Sequence, residues 1–158
     1  MSLATHAFIG AAVVNIMPNH PMLGIFLAFG SHFILDFIPH WDYRLGSLSF
    51  NDKEPMKSSM QFNSKFLKDL VKISADGLLG TAISLAVFPG LGMLTLAGAA
   101  FGMLPDFLQA VYYRFKKEPL ISIQRFHMWI HSTNHMRNQK WLSIASQVFL
   151  IILASALL

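Results

Sequence analysis

Histidine and aspartate recur at four-residue intervals in two stretches of this sequence. In SHFILDFIPH the interval separates His32, Asp36 and His40, and in FHMWIHSTNH it separates His127, His131 and His135. Four residues turn a helix by about 400°, so the members of each set share one helix face. Two histidines at i and i+4 can bind one metal ion, and an added carboxylate suits Zn²⁺, Mn²⁺ or Fe²⁺. Both stretches therefore predict metal-binding faces.

Three aspartates interrupt stretches that are otherwise apolar, namely Asp36, Asp76 and Asp106. An isolated ionised Asp near a bilayer centre costs about 2.5–3.5 kcal/mol, so such residues face inward and have partners. The available partners are His6 and the histidines of the two stretches. The chain has no cysteine, which excludes thiolate ligands. We therefore predict one shared site for a divalent metal, above all Zn²⁺, with these ligands: His6, His32, Asp36, His40, Asp76, Asp106, His127, His131 and His135.

Some of these residues also have simpler explanations. Asp106 follows Pro105, and a Leu-Pro-Asp step is compatible with a kinked helix and a capping Asp. Asp76 lies four residues after Lys72, so the two could form a structural ion pair. Asp42 is a loop residue that is close enough to His40 to serve as an outer ligand.

The composition indicates that these residues lie in a membrane protein. Of 158 residues, 54% are hydrophobic and 13% are charged, where soluble domains carry about 25% charged residues. One soluble core of this size cannot bury so much apolar surface, and intrinsic disorder is excluded. The net charge is +4 without a dense basic run, which argues against nucleic-acid binding. The expected partners are membrane lipids, and the sequence leaves the oligomeric state open.

Stretches without charges and turn signals predict an all-α fold, an integral-membrane bundle of five to six helices in a single domain, 1–158. The segments cover residues 3–17, 21–38, 66–88, 91–115, 119–136 and 139–158. Tight turns at Pro18–Pro21 and Pro89–Gly92 predict antiparallel hairpins. Residues 41–64 form the long polar loop. The His-rich fifth segment mixes polar and apolar residues and is expected to be interfacial or to line the bundle.

The distribution of Lys and Arg orients the predicted bundle. All twelve basic residues lie in the long loop, beside it or around the fifth segment, and the positive-inside rule makes that side cytoplasmic. The N-terminus is then inside and the C-terminus outside, in what we expect to be a bacterial inner (plasma) membrane. In this topology the His and Asp residues of five segments reach one layer near the cytoplasmic face.

Four short motifs occur in an order that resembles a known family. They are THAFIGAAVV, GSHFILDFIPHWD, GMLPDF and HMWIHS. The resemblance extends over most of the chain and excludes the loop 43–65. The sequence is similar to the YdjM-like family, small integral-membrane proteins described as membrane-bound metal-dependent hydrolases. That family is thought to be related to the zinc-dependent phospholipase C group.

The resemblance implies metal or catalytic roles for His6, Asp36, Asp106, His127 and His131. The sequence also departs from the family. The family's Leu-Pro-Asp-x-Asp-His run is split, because Leu104-Pro105-Asp106 continues as Phe-Leu-Gln, and the usual His-Arg-Gly before the late histidines is absent. These differences bear on the number of metal ions and on catalytic competence.

Three functions follow from these observations. In a phospholipase-like hydrolase acting on a lipid phosphoester or related amphiphile, Asp36 or Asp106 would serve as bridging ligand or general base, and Arg44, Arg125 and Arg137 could bind a phosphate. A divalent-metal carrier would need ionisable groups in the outer halves of the segments, where only His20 occurs. A non-catalytic protein, metal-binding or purely structural, would use the polar residues to hold helices together.

Overall fold

The computed structural model describes residues 1–51, 54–131, 136 and 138–156. This part of the chain is mostly helical, which confirms the predicted all-α character. Its six helices are α1 (Leu3–Ile16), α2 (Pro21–Phe37), α3 (Ser64–Val87), α4 (Gly92–Phe115), α5 (Leu120–Ile130) and α6 (Lys140–Ala156). Apart from α5, they agree with the predicted segments to within two residues.

The fifth helix is shorter than the predicted segment 119–136. It ends at Ile130, and His131 leaves the helix with φ −57° and ψ 127°. The next three residues in the sequence are Ser, Thr and Asn, whose side chains compete for backbone hydrogen bonds and weaken helices. His131 therefore follows His127 at the end of a helix rather than within one. His135 and Arg137 lie outside the described residues, and their predicted roles stay predictions.

Helix α1 occupies the centre of the bundle and contacts α2, α3, α4 and α6. Its buried side chains are mostly small, with Ala7, Ala11 and Ala12 on the inside and Phe8 packed 5.2 Å from Phe88 between ring centroids. Small side chains let helix backbones approach closely, which is how helices pack where water does not drive their association.

Glycines on the neighbouring helices permit this approach. A Cβ on Gly80 of α3 would overlap backbone atoms of Ala4, and a Cβ on Gly102 of α4 would overlap the carbonyl oxygen of His6. Between α1 and α2, Gly24 packs against Val14, and the ring of His32 stacks on that of His6 at 3.9 Å. These pairs make α1 and α2 antiparallel, as the short turn between them predicts.

The long polar loop contains a small ribbon that the sequence did not indicate. Strands β1 (Leu48–Ser49) and β2 (Ser59–Met60) pair antiparallel, with a 3₁₀ turn at Pro55–Lys57 between them. Asp69 of α3 fixes the loop by accepting hydrogen bonds from the Ser47 hydroxyl and backbone N–H, at 2.6 and 2.7 Å. On α4, the Tyr112 hydroxyl donates to the Met56 carbonyl at 2.9 Å.

Two segments, Ser64–Val87 and Pro89–Phe115, are long and apolar enough to cross a membrane. α1, α2 and α6 are shorter apolar helices. Large hydrophobic side chains are exposed on several helices, among them Phe26, Ile34, Leu78, Met93 and Ile152. Soluble monomers rarely expose apolar surface on this scale, so the distribution favours a lipid environment.

The contact between α1 and α3 can be tested at a single glycine. Gly80→Ala should destabilise the protein by about 1–3 kcal/mol, because the added methyl group overlaps the backbone of Ala4. Thermal unfolding in mild detergent, followed by circular dichroism, measures the change.

Gly30→Ala is the matched control, since no atom lies within 4 Å of the position that its Cβ would take. It should be neutral or stabilise by up to about 1 kcal/mol, as Gly to Ala does in an open helix. Equal stability of the two variants would contradict the close approach of α1 and α3.

Candidate metal centre

The carboxylate of Asp36, near the end of α2, is the centre of the histidine cluster. Asp36 is 1% exposed, and the Nε2 atoms of five imidazoles surround its two oxygens. Those nearest Oδ1 are His6 at 3.2 Å and His40 at 3.7 Å, and those nearest Oδ2 are His127 at 3.0 Å, His32 at 3.1 Å and His131 at 3.9 Å. The structure thus brings together His6 and those members of both four-residue patterns that lie in the described part of the chain.

Aromatic packing positions the histidines from separate elements. His6 comes from α1 and His32 from α2, and their rings stack. Helix α5 lies against α2 through Phe33 and Phe126, whose ring centroids are 5.0 Å apart, and this contact brings His127 edge-on to His32 at 5.1 Å. The local helix spacing of the sequence and the packing of three helices are both needed to form the cluster.

Backbone carbonyls fix which ring nitrogen faces Asp36. The Nδ1 atom of His32 lies 2.9 Å from the Gly102 carbonyl oxygen, and that of His40 lies 2.7 Å from the Ile38 carbonyl oxygen. A carbonyl oxygen only accepts, so each Nδ1 carries the proton and donates it. In the neutral ring, Nε2 then presents a lone pair to the carboxylate. Metal-binding histidines are oriented by this arrangement in general.

Lone pairs on nitrogen and carboxylate oxygen repel unless a cation lies between them. The Nε2 atoms of His6, His32 and His40 are buried and make no hydrogen bond to any described residue, although each is within 3.7 Å of Asp36. Ligands of one tetrahedral ion with bonds of about 2.0–2.1 Å lie roughly 3.3–3.4 Å apart. The separations of 3.1 Å for His32 and 3.2 Å for His6 are compatible with ligands that share an ion.

The potential ligands fall into two groups that share Asp36. One consists of His32, Asp36, Asp106 and His127, and the other of Asp36, His40 and His131, with ligand atoms within 4.8 Å of one another in each. Either group could hold a metal ion. Because Asp36 has one oxygen near members of each group, it could also bridge two ions.

Asp42 adds a carboxylate to the second group. Its Oδ2 lies 3.2 Å from His40 Nε2 and 3.8 Å from His131 Nε2, while its Oδ1 lies 2.6 Å from the amino nitrogen of Met1. Burial opposes the ionisation of Asp42, but the adjacent His40 imidazole and the nearby ammonium outweigh it and lower the pKa of this carboxyl. Asp42 is therefore ionised at neutral pH and could act as the outer ligand expected from its position.

Asp106 contributes from α4, with its Oδ1 at 3.6 Å from His32 Nε2. Helix α4 continues through Pro105 to Phe115, so Asp106 does not cap a helix end. Its side chain is 25% exposed, more than that of Asp36. Asp106 thus lies on the open side of the first group.

Asp76 lies outside both groups. Its Oδ2 accepts hydrogen bonds from the Leu3 backbone N–H at 2.7 Å and from the Tyr43 hydroxyl at 3.2 Å. Lys72, which could have paired with it, donates to the Arg44 carbonyl instead and lies 4.5 Å from the centre of the Tyr43 ring. Burial and the charge of Asp76 raise the pKa of Tyr43. Asp76 therefore anchors the start of α1 to the loop and the cluster, and the structure does not bring it to the ligand atoms.

Two residues beside the cluster were missed by the sequence reasoning. Gly102 accepts the His32 hydrogen bond and, without a side chain, admits the backbone of His6; only its place one turn before Asp106 could have indicated it. Gln124 is 2% exposed, and its Nε2 has no hydrogen-bond partner among the described residues. It lies one turn before His127, and that spacing was a signal in the sequence.

Comparison with known proteins adds no relative. No family model, no curated protein and no solved structure matches this chain. The resemblance to the YdjM-like family therefore depends on the short motifs in the sequence, and the chemistry of the site depends on its geometry.

Metal content should separate the two ligand groups. Purified without chelator, the protein should carry one or two divalent ions, measured by inductively coupled plasma mass spectrometry. Because Asp36 belongs to both groups, Asp36→Asn should lose all bound metal, while His127→Ala and His131→Ala should each weaken one group only. Loss of one ligand should reduce affinity by about tenfold or more.

His20→Ala is the control, because His20 is exposed in the turn between α1 and α2 and should not affect metal content. A parent protein that is empty and does not take up added Zn²⁺, Mn²⁺ or Fe²⁺ would contradict the metal centre.

Proposed function

We propose that the protein is a membrane-embedded, metal-dependent hydrolase that cleaves a phosphoester or related ester bond of a lipid-like substrate. The observation that carries the proposal is the set of imidazole Nε2 atoms around the buried carboxylate of Asp36. The order of the motifs that resemble the YdjM-like family supports the same reaction class.

The ligand set favours Zn²⁺, with Mn²⁺ or Fe²⁺ as alternatives. Imidazole suits all three ions, and histidine with carboxylate in the absence of thiolate is usual for catalytic zinc. A divalent ion in such a site lowers the pKa of a water molecule and polarises an ester or phosphoryl oxygen. We assign to the site the members of the two ligand groups, which are His32, Asp36, His40, Asp106, His127 and His131. We add His6, whose Nε2 lies 3.2 Å from Asp36 Oδ1.

The two catalytic aspartates have different roles in this proposal. Asp36 is enclosed by imidazoles and buried, so it holds and orients the histidines and has no room to exchange a proton with substrate. Asp106 is near the same histidines and partly exposed, so it can accept a proton from water and return it to the leaving group. Asp106 and His32 belong to the same ligand group, with Asp106 Oδ1 3.6 Å from His32 Nε2.

The membrane setting is part of the proposal. Two segments are long and apolar enough to span a bilayer, and the loop and helix ends near the cluster carry the basic residues. With these on the cytoplasmic side, the cluster lies just below the inner surface of a bacterial plasma membrane. A lipid headgroup reaches that depth more easily than a large soluble substrate does.

Basic residues near the cluster suit an anionic headgroup. Arg44 and Arg125 are exposed, and guanidinium groups bind phosphate with paired hydrogen bonds. A metal carrier is less consistent with the sequence, because a path to the other face would need ionisable groups along the helices, and between Gly77 and Arg114 the only charged residue is Asp106.

Reporter fusions test the orientation. A fusion at residue 55, in the long loop, should report the cytoplasm, and a fusion at the C-terminus should report the outside, because the positive-inside rule orients all twelve basic residues inward. The reversed pair of signals would overturn the orientation, and release of the protein by carbonate washing would overturn membrane integration.

Neutralising the aspartates separates an enzyme from a structural protein. Asp36→Asn and Asp106→Asn should fold and insert but lose metal-dependent hydrolysis of phospholipids or simple phosphoesters by at least about 10²-fold, since each removes a charge and a ligand or base. Product release from a substrate panel, with and without added metal, measures the loss.

In a purely structural cluster the result would be the opposite. Burial of an amide costs less free energy than burial of an ionised carboxylate, so Asp36→Asn would be tolerated or stabilising. A parent protein that hydrolyses nothing in the panel, together with Asn variants that unfold at higher temperature, would exclude the hydrolase.

A further inference from the structure

A cavity of about 200 Å³ lies between α1, α6 and the first residues after α2. Its walls include Ile144, Val148 and Ile151 of α6, together with Trp41. Trp41 lies between His40 and Asp42 in the sequence, and Thr5, another lining residue, precedes His6. The cavity and the metal centre therefore share two segments of chain.

The polar groups of the cavity wall are already paired with one another. Gln147 Oε1 accepts from the Ser2 backbone N–H at 3.1 Å and from the Thr5 hydroxyl at 3.2 Å. The Trp41 backbone N–H donates to the Ser143 hydroxyl at 2.7 Å. A water molecule needs two to four polar partners to be held in a cavity, and these pairs leave few. The space is suited to an apolar occupant.

The volume limits what that occupant can be. An apolar cavity of about 150 Å³ holds one benzene molecule, so about 200 Å³ accommodates a single hydrocarbon chain of roughly eight carbons by the same scale. Pockets for whole drug-sized ligands are larger, about 300–1,000 Å³.

The outer face of α6 supplies a route for such a chain. Val148 lines the cavity and is 48% exposed, and its neighbours Phe149 and Ile152 are exposed apolar residues on the same helix. In a bilayer this surface contacts lipid, so a chain can enter from the membrane without crossing water.

We propose that this cavity binds one hydrocarbon chain of a lipid, with the polar end of that lipid at the His/Asp cluster. The proposal depends on the proposed function only for the identification of the lipid as the substrate. The substrate is then an amphiphile with at least one linear hydrocarbon chain. The cavity that binds this hydrocarbon chain is separate from the metal ligands.

Quenching of Trp41 fluorescence by brominated chains tests the site. The chain has three tryptophans, so Trp129→Phe with Trp141→Phe leaves Trp41 as the single reporter on the cavity wall. The probe is a lysophospholipid brominated near the middle of its chain, titrated as a mole fraction into micelles of an unbrominated detergent, with chelator present. The quenching of Trp41 fluorescence should saturate as the mole fraction of the brominated probe increases. A second protein that keeps only Trp141, which is 74% exposed, should show the linear quenching of a residue at a micelle surface.

Substitutions that fill the cavity should remove the saturable component of the Trp41 quenching. Val148→Phe, in the single-Trp41 protein, should weaken the saturable quenching by about fivefold or more, because the larger ring occupies the space for the chain. Ile151→Phe should do the same from a second position. Ile152→Phe is the matched control on the same helix, since Ile152 is exposed and does not line the cavity.

The outcomes distinguish this inference from the proposed function. Saturable quenching that survives both filling substitutions, or quenching of Trp41 that is linear like that of Trp141, would overturn the chain site even if the protein is a hydrolase. Saturable quenching that the filling substitutions abolish would support the chain site even if no hydrolysis is found, because the measurement requires neither metal nor turnover.

Discussion

A carboxylate that is shielded from water and surrounded by imidazoles needs positive charge between the groups, and this requirement controls the arrangement of the whole bundle. The oxygens of Asp36 face the Nε2 atoms of five histidines, and two of these, His32 and His40, have their protons held on the opposite nitrogen by backbone carbonyls. One imidazolium would neutralise the carboxylate but would leave the remaining lone pairs opposed. A divalent cation satisfies several of them at once.

The helix packing serves this cluster directly. The buried side chains of α1 are mostly small, so α2, α3 and α4 can all pack closely against it. Gly102 contributes in two ways, since its carbonyl orients His32 and its lack of a side chain admits the backbone that carries His6. Asp76 and Tyr43 hold the beginning of α1 in register with the cluster.

Local patterns in the sequence predicted the parts of the site that depend on helix geometry. The spacing of His32, Asp36 and His40 is a property of one segment, and so are the apolar stretches that set the helix bounds. Contacts between distant segments leave no such pattern in the sequence. Asp76 is of a residue type that can bind a metal ion, but its hydrogen-bond partners lie 73 and 33 residues away along the chain. The β ribbon was missed because strands of two residues show no alternation. The fifth helix was predicted too long because the four-residue spacing of His127, His131 and His135 continues past Ile130, where the helix ends.

The order of the ligands along the chain has a consequence for biosynthesis. His6 comes near the start, Asp36 and Asp106 follow on α2 and α4, and His127 and His131 belong to the end of α5. Asp36 is therefore synthesised long before His127 and His131, two of the five imidazoles that surround it. Until α5 is made, the imidazoles available to that carboxylate are those of His6, His32 and His40. Both potential ligand groups are thus complete only after His127 and His131 have been synthesised.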